Sequence, residues 1–109
     1  MALDIGLCED DDELRGVIRS ACEAEGHAVR ATASGAEALR MFSDAPPEVL
    51  ILDIGLPDAD GRDVCLALRA AGVQTPVLFL TARAALTDRL SGFHSGGEHQ
   101  ATAERHRSW

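Results

Sequence analysis

The chain has 109 residues, 46% of them hydrophobic and 26% charged, proportions that suit one soluble globular domain with a core of modest size. Its formal net charge of −8 argues against nucleic-acid binding by this chain, because a phosphate backbone attracts a basic face. No apolar run reaches the length that spans a bilayer, and the start MALDIGLC lacks the basic flank of a signal peptide, so the expectation is a cytoplasmic protein with no membrane partner.

The first element is a short apolar strand, Leu3 to Cys8. Leu14, Val17, Ile18, Ala21 and Cys22 then fall on one face of a helix, with Asp10, Asp11, Asp12 and Glu13 crowding its start, where the helix dipole favours acids. Gly26 ends that helix. Ala28 to Thr32 reads as a second, weaker strand. Ser34 and Glu37 have capping-box spacing ahead of a helix carrying Leu39 and Phe42, and Pro46-Pro47 stops it.

Glu48 to Asp53 is the third strand, apolar until it ends on an acid. A turn with Gly55, Pro57, Asp58 and Gly61 follows. The third helix is expected from Asp60 to Ala71, with Val64, Ala67, Leu68 and Ala71 inward and Gly72 as its stop. Pro76 opens a fourth strand, Val77 to Thr81, and Leu86, Leu90 and Phe93 suggest a fourth helix. Strands alternating with helices at this spacing imply right-handed crossovers and a parallel α/β sheet covered on both faces. The stretch from His94 loses both periodicities, and residues 98–109 read as a polar divergent tail behind a domain of residues 1–97.

Cys8, Cys22 and Cys65 are widely spaced among apolar residues. They read as small buried hydrophobes, not as a disulfide frame or a zinc site.

A parallel sheet carries its sites at the carboxyl ends of its strands. Here Glu9, Asp10, Asp53 and Thr81 stand at such ends and are expected to converge. Neighbouring carboxylates repel one another in a partly dry pocket, and a divalent cation relieves the repulsion. An all-oxygen set suits Mg²⁺. Asp11, Asp12, Glu13, Asp58 and Asp60 are accounted for as caps and turn formers; Asp53 is not, since neither capping nor packing asks for an acid at that strand tip.

Glu9-Asp10 after the first strand, Asp53 ending the third, Leu56-Pro57 with Gly61 behind it, and Thr81-Ala82-Arg83 after the fourth together resemble the receiver domain of bacterial two-component response regulators. DIGLPDADG followed by LTAR is most similar to the class that carries a winged-helix DNA-binding effector. The resemblance implies a flavodoxin-like, doubly wound sheet of strand order 2-1-3-4, and a signalling module, not an enzyme. It implies Asp53 as phosphoacceptor from a sensor histidine kinase. Glu9, Asp10, Asp53 and the Gly55 carbonyl would hold Mg²⁺, and Thr81 and the Ala82 N–H would bind and report the phosphoryl group.

The sequence departs from the family near its end. The family's fifth strand and helix are missing or degenerate, its aromatic switch position falls on Gln100, and its Lys position falls on Ala103; the chain contains no Lys. Impaired phosphorylation is therefore expected, together with an exposed fourth strand and switch face through which a homodimer could form. The competing readings are an interaction-only pseudo-receiver or a truncated, non-signalling fragment. A hydrolase working through an aspartyl phosphate would want an acid where Gly55 stands.

Overall fold

A computed structural model describes residues 1–81. The expected fourth helix, Ala82, the positions of the family's fifth strand and helix, and the division between residues 1–97 and 98–109 lie outside the described residues. Within them the order is β1 (Asp4–Cys8), α1 (Asp12–Ala24), β2 (Ala28–Thr32), α2 (Gly35–Asp44), β3 (Val49–Asp53), α3 (Gly61–Ala70) and β4 (Val77–Leu80). The strands form one parallel sheet in the order β2-β1-β3-β4, as the resemblance implied.

Each of the three described helices begins where a side chain accepts from its first turn. Asp11 accepts from the Leu14 N–H, Ser34 from the Glu37 N–H and Asp60 from the Arg62 N–H. Only half of the expected capping box forms at α2. The Glu37 carboxylate turns instead to the Thr32 hydroxyl at the end of β2. α1 and α3 end in Schellman turns, with Gly26 and Gly72 both at φ +92° and the N–H groups of His27 and Val73 returning to the Cys22 and Leu68 carbonyls.

The two sides of the sheet are filled differently. α2 and α3 share one side, where Phe42, Leu50, Leu52, Val64, Cys65, Leu68 and Phe79 make one cluster with Cys8. Cys65 takes the inward position that periodicity offered to Ala71, which is exposed. On the other side Ile5, Leu7, Val29 and Ile51 form a second cluster against which Ile18 and Cys22 of α1 pack. No residue of α1 is fully buried, and Val17 is 60% exposed.

Candidate functional site

Strand register decides which side chains meet. Cys8 pairs with Leu52 and Asp53 with Leu80, so positions 9 and 53 leave adjacent strands at one level, and Thr81 follows one residue beyond that level on the next strand. The Glu9 N–H extends one ladder to the Thr32 carbonyl at 3.0 Å, and the Ile54 N–H extends another to the Leu80 carbonyl at 2.9 Å. Glu9, Asp10 and Asp53 thereby come together, each offering an oxygen within 4.8 Å of the others. Glu9 is only 2% exposed and Asp53 5%, while Asp10 is half-buried. Thr81 is half-buried where the chain leaves β4.

Satisfaction of these groups is incomplete. Glu9 Oε2 accepts from the Asp11 N–H at 2.9 Å, and Asp53 Oδ1 from the Gly55 N–H at 3.1 Å. Among the described residues, Glu9 Oε1 is buried with no hydrogen-bond partner. A buried acceptor without a donor costs on the order of 1–3 kcal/mol, more when charged. Burial, with the Asp53 and Asp10 charges adding to it and the Asp11 N–H opposing, pushes the Glu9 carboxyl up to about 7. Burial raises Asp53 as well, against the pull of the Gly55 N–H and with Asp10 adding to the rise.

An orphaned buried oxygen inside an all-carboxylate cluster is what a small, hard cation would satisfy. The donor set fits Mg²⁺ by its chemistry. The neighbouring Cys8 is not a competing ligand or nucleophile. Burial pushes its thiol up to about 12, with the Asp53 charge adding, and its Sγ–H donates to the Ser34 carbonyl at 3.4 Å.

The loop between β3 and α3 is held at its base by the Gly61 N–H on the Ile54 carbonyl at 2.8 Å and by a bridge between Gly55 and Asp60. A Cβ on Gly61 would run into the carbonyl of Asp53, so the start of α3 can lie against the strand tip only with glycine there. Leu56 anchors the loop in the core. Two partners escape sequence reasoning. Arg15 Nη1 donates to the Glu9 carbonyl at 2.9 Å and the Asp10 carbonyl at 3.4 Å, bracing the loop that carries both acids. Asp58 reaches α2, not its own helix. Neither leaves a signal, because their partners are backbone groups that every residue possesses.

Residues 5–100 match the response regulator receiver domain family. The chain belongs to that family. It is 40% identical over 96 residues to the transcriptional regulatory protein TrcR of Mycobacterium tuberculosis, a match covering 88% of this chain and 37% of TrcR. The chain thus spans well under half the length of the curated relatives it matches. Among solved structures, the non-phosphorylated HemR receiver domain from Leptospira biflexa superposes with a TM-score of 0.67 at 31% identity, over 85% of this chain and 75% of that one. The receiver domain of Francisella response regulator 1452 gives a TM-score of 0.70 at 26% identity, over 86% and 78%. Receiver domains are signalling modules of two-component systems; they bind Mg²⁺ in an acidic pocket and are phosphorylated by sensor histidine kinases. Among the described residues no helix is long and apolar enough to cross a membrane.

Proposed function

We propose that this receiver accepts a phosphoryl group on Asp53 from a sensor histidine kinase, with Glu9, Asp10, Asp53 and the Gly55 carbonyl holding Mg²⁺. The observation that carries this reading is the buried, unpartnered Glu9 Oε1 beside two further carboxylates. A bound Mg²⁺ would neutralise charge on the transferring oxygens. The chain's own residues do the rest. A carboxylate oxygen of Asp53 attacks phosphorus as the phosphorus–nitrogen bond to the donor imidazole breaks. The bonding pair returns to the ring nitrogen, which takes up a proton, and an acyl phosphate remains. Water later attacks phosphorus, releasing inorganic phosphate and restoring the carboxylate. The Gly55 N–H orients Asp53 through Oδ1, while Thr81 and the Ala82 N–H are assigned to the phosphoryl oxygens.

With no Lys in the chain, one cationic partner of the phosphoryl group is lost, and transfer is expected to slow by roughly 10²–10³ relative to receivers that have it. The same lack favours a second reading, an interaction-only module that docks through this face unphosphorylated. We assign no nucleic-acid contact to this chain on account of its charge of −8.

Intact-mass spectrometry after incubation with Mg²⁺ and acetyl phosphate tests both. A slowly formed phosphoryl adduct on the parent that Asp53→Ala abolishes is the expected result. An adduct that survives Asp53→Ala overturns the assignment, and a parent that never gains one favours the second reading.

A further inference from the structure

We propose that Asp58 is a positioning residue for the acidic site, tying the loop after β3 to the first turn of α2 and so fixing where Gly55 stands beside Asp53. The inference rests on the reading of Asp53, Glu9 and Asp10 as a cation-assisted phosphoacceptor site. Asp58 touches none of the three site carboxylates. It acts through the backbone that leads from Asp53 to Gly55.

Hydrogen-bond accounting at α2 shows whom the contact serves. The Gly35 N–H donates to Asp58 Oδ1 at 2.8 Å and the Ala36 N–H to Asp58 Oδ2 at 3.0 Å. Ser34 already supplies this helix with a local cap, accepting from the Glu37 N–H through Oγ at 3.2 Å and from the Ala38 N–H through its carbonyl at 3.0 Å. α1 and α3 make do with one such local cap, Asp11 and Asp60. Of the three described helices, α2 alone receives a second acid on its first-turn N–H groups, from more than twenty residues along the chain. A carboxylate meeting two N–H groups at once is charge-assisted at both oxygens. These two donors hold Asp58 below the usual carboxylate range.

The loop tip, by contrast, has this contact as its hydrogen-bonded link to α2. Asp58 and Pro57 are exposed, so burial does not fix the tip. Between the Leu56 anchor and the bridge at Gly55–Asp60, the Asp58 carboxylate is the hydrogen-bonded link from the tip to α2, beside the packing of Ala59 against the core. Gly35 marks how close the approach is. A Cβ there would sit 2.9 Å from Val64 Cγ2, 3.2 Å from Ala59 Cβ and 3.4 Å from Asp58 Oδ1. Releasing the tip leaves Gly55 held only through its bridge to Asp60 and the Leu56 anchor, and the expected result is a shift of the Gly55 N–H from Asp53 Oδ1, from which it stands 3.1 Å, and of the Gly55 carbonyl with it. Groups that orient a ligating shell without touching the ion commonly govern affinity tenfold or more.

The test measures Mg²⁺ affinity by calorimetry, and the Gly55 amide resonance by NMR, on the full chain and three variants. Asp58→Ala should weaken Mg²⁺ binding about tenfold and shift the Gly55 amide; Asp58→Asn, which keeps one acceptor oxygen, should show a measurable but smaller loss. Ser34→Ala removes the local cap of α2 and leaves the loop contact in place. It should lower Tm while keeping parental Mg²⁺ affinity and the parental Gly55 resonance.

Parental affinity in Asp58→Ala overturns the inference and leaves the site reading intact. Equal losses in Ser34→Ala and Asp58→Ala overturn it too, since helix stability would then explain both. Should Asp58→Ala fail to fold, Asp58→Asn decides: parental affinity there overturns the inference. A parent that binds no Mg²⁺ sinks the site reading and the inference together.

Discussion

The middle of the β1–β3 pair and its carboxyl tip are equally dry and energetically opposite. Leu7, Leu50 and Leu52 are fully buried, and a few residues on Glu9 is 2% exposed. Removing leucine from water stabilises the fold by about 1.5–3 kcal/mol per side chain. Removing from water a carboxylate that has a donor at one oxygen but none at the other works the other way. Low exposure is therefore not a measure of stabilisation. The sheet interior holds the fold together, and its tip carries a buried carboxylate that works against it.

The largest effect belongs to the interior. Phe42 is 0% exposed, packs in the core cluster of α2 and α3, and carries the Arg30 guanidinium 5.4 Å from its ring centroid. Phe42→Ala is expected to cost about 3–5 kcal/mol in chemical denaturation. A loss below 1 kcal/mol would mean that this side is as loosely filled as the α1 side, and the contrast would fail.

The tip comes next, and pH reads it. The Glu9 carboxyl rises from 4.5 to about 7 on folding, so the native state binds its proton more tightly than the unfolded chain. Its stability contribution is whole below about pH 4.5 and is lost as pH climbs to about 7, a drop of roughly 3 kcal/mol in Mg²⁺-free buffer. Asp58, Asp60 and Glu37 are lowered on folding; their contributions fall away only on further acidification. Metal-free stability should therefore peak near pH 5, and Mg²⁺ should restore the alkaline loss. A Tm that rises steadily from pH 5 to pH 8 without Mg²⁺ would remove the strain from the tip.

The smallest effect sharpens the contrast from outside. Val17 projects from α1 at 60% exposure, and Val17→Ser should change stability by less than about 0.5 kcal/mol. A larger loss in the full chain would show that the α1 side is covered by something beyond residues 1–81.

Most of the sheet was legible because strand and helix periods differ and because Gly, Pro and capping residues punctuate them. The acidic trio was legible because parallel strands end at one edge, so adjacency follows from topology before any side chain is placed. The inward face of α3 was read less well. Cys65 and Ala71 both fit helical spacing, and packing against α2 chose between them. Glu37 kept the spacing of a capping box but found a nearer partner in Thr32. The Arg15 and Asp58 contacts were beyond reach, since each depends on where a distant backbone lies. The same limit turned Asp58 from an ordinary turn former into a tether.

The parallel alignment of β1 with β3 has one more consequence. Sliding one strand past the other by a single residue would carry Glu9 about 3.3 Å along and turn its side chain to the opposite face. The acids would then part, while most of the greasy interior could still collapse. On the proposed reading of the site, cation affinity doubles as a gauge of strand alignment, and during refolding it should appear only after the two strands of the ladder have found their proper register.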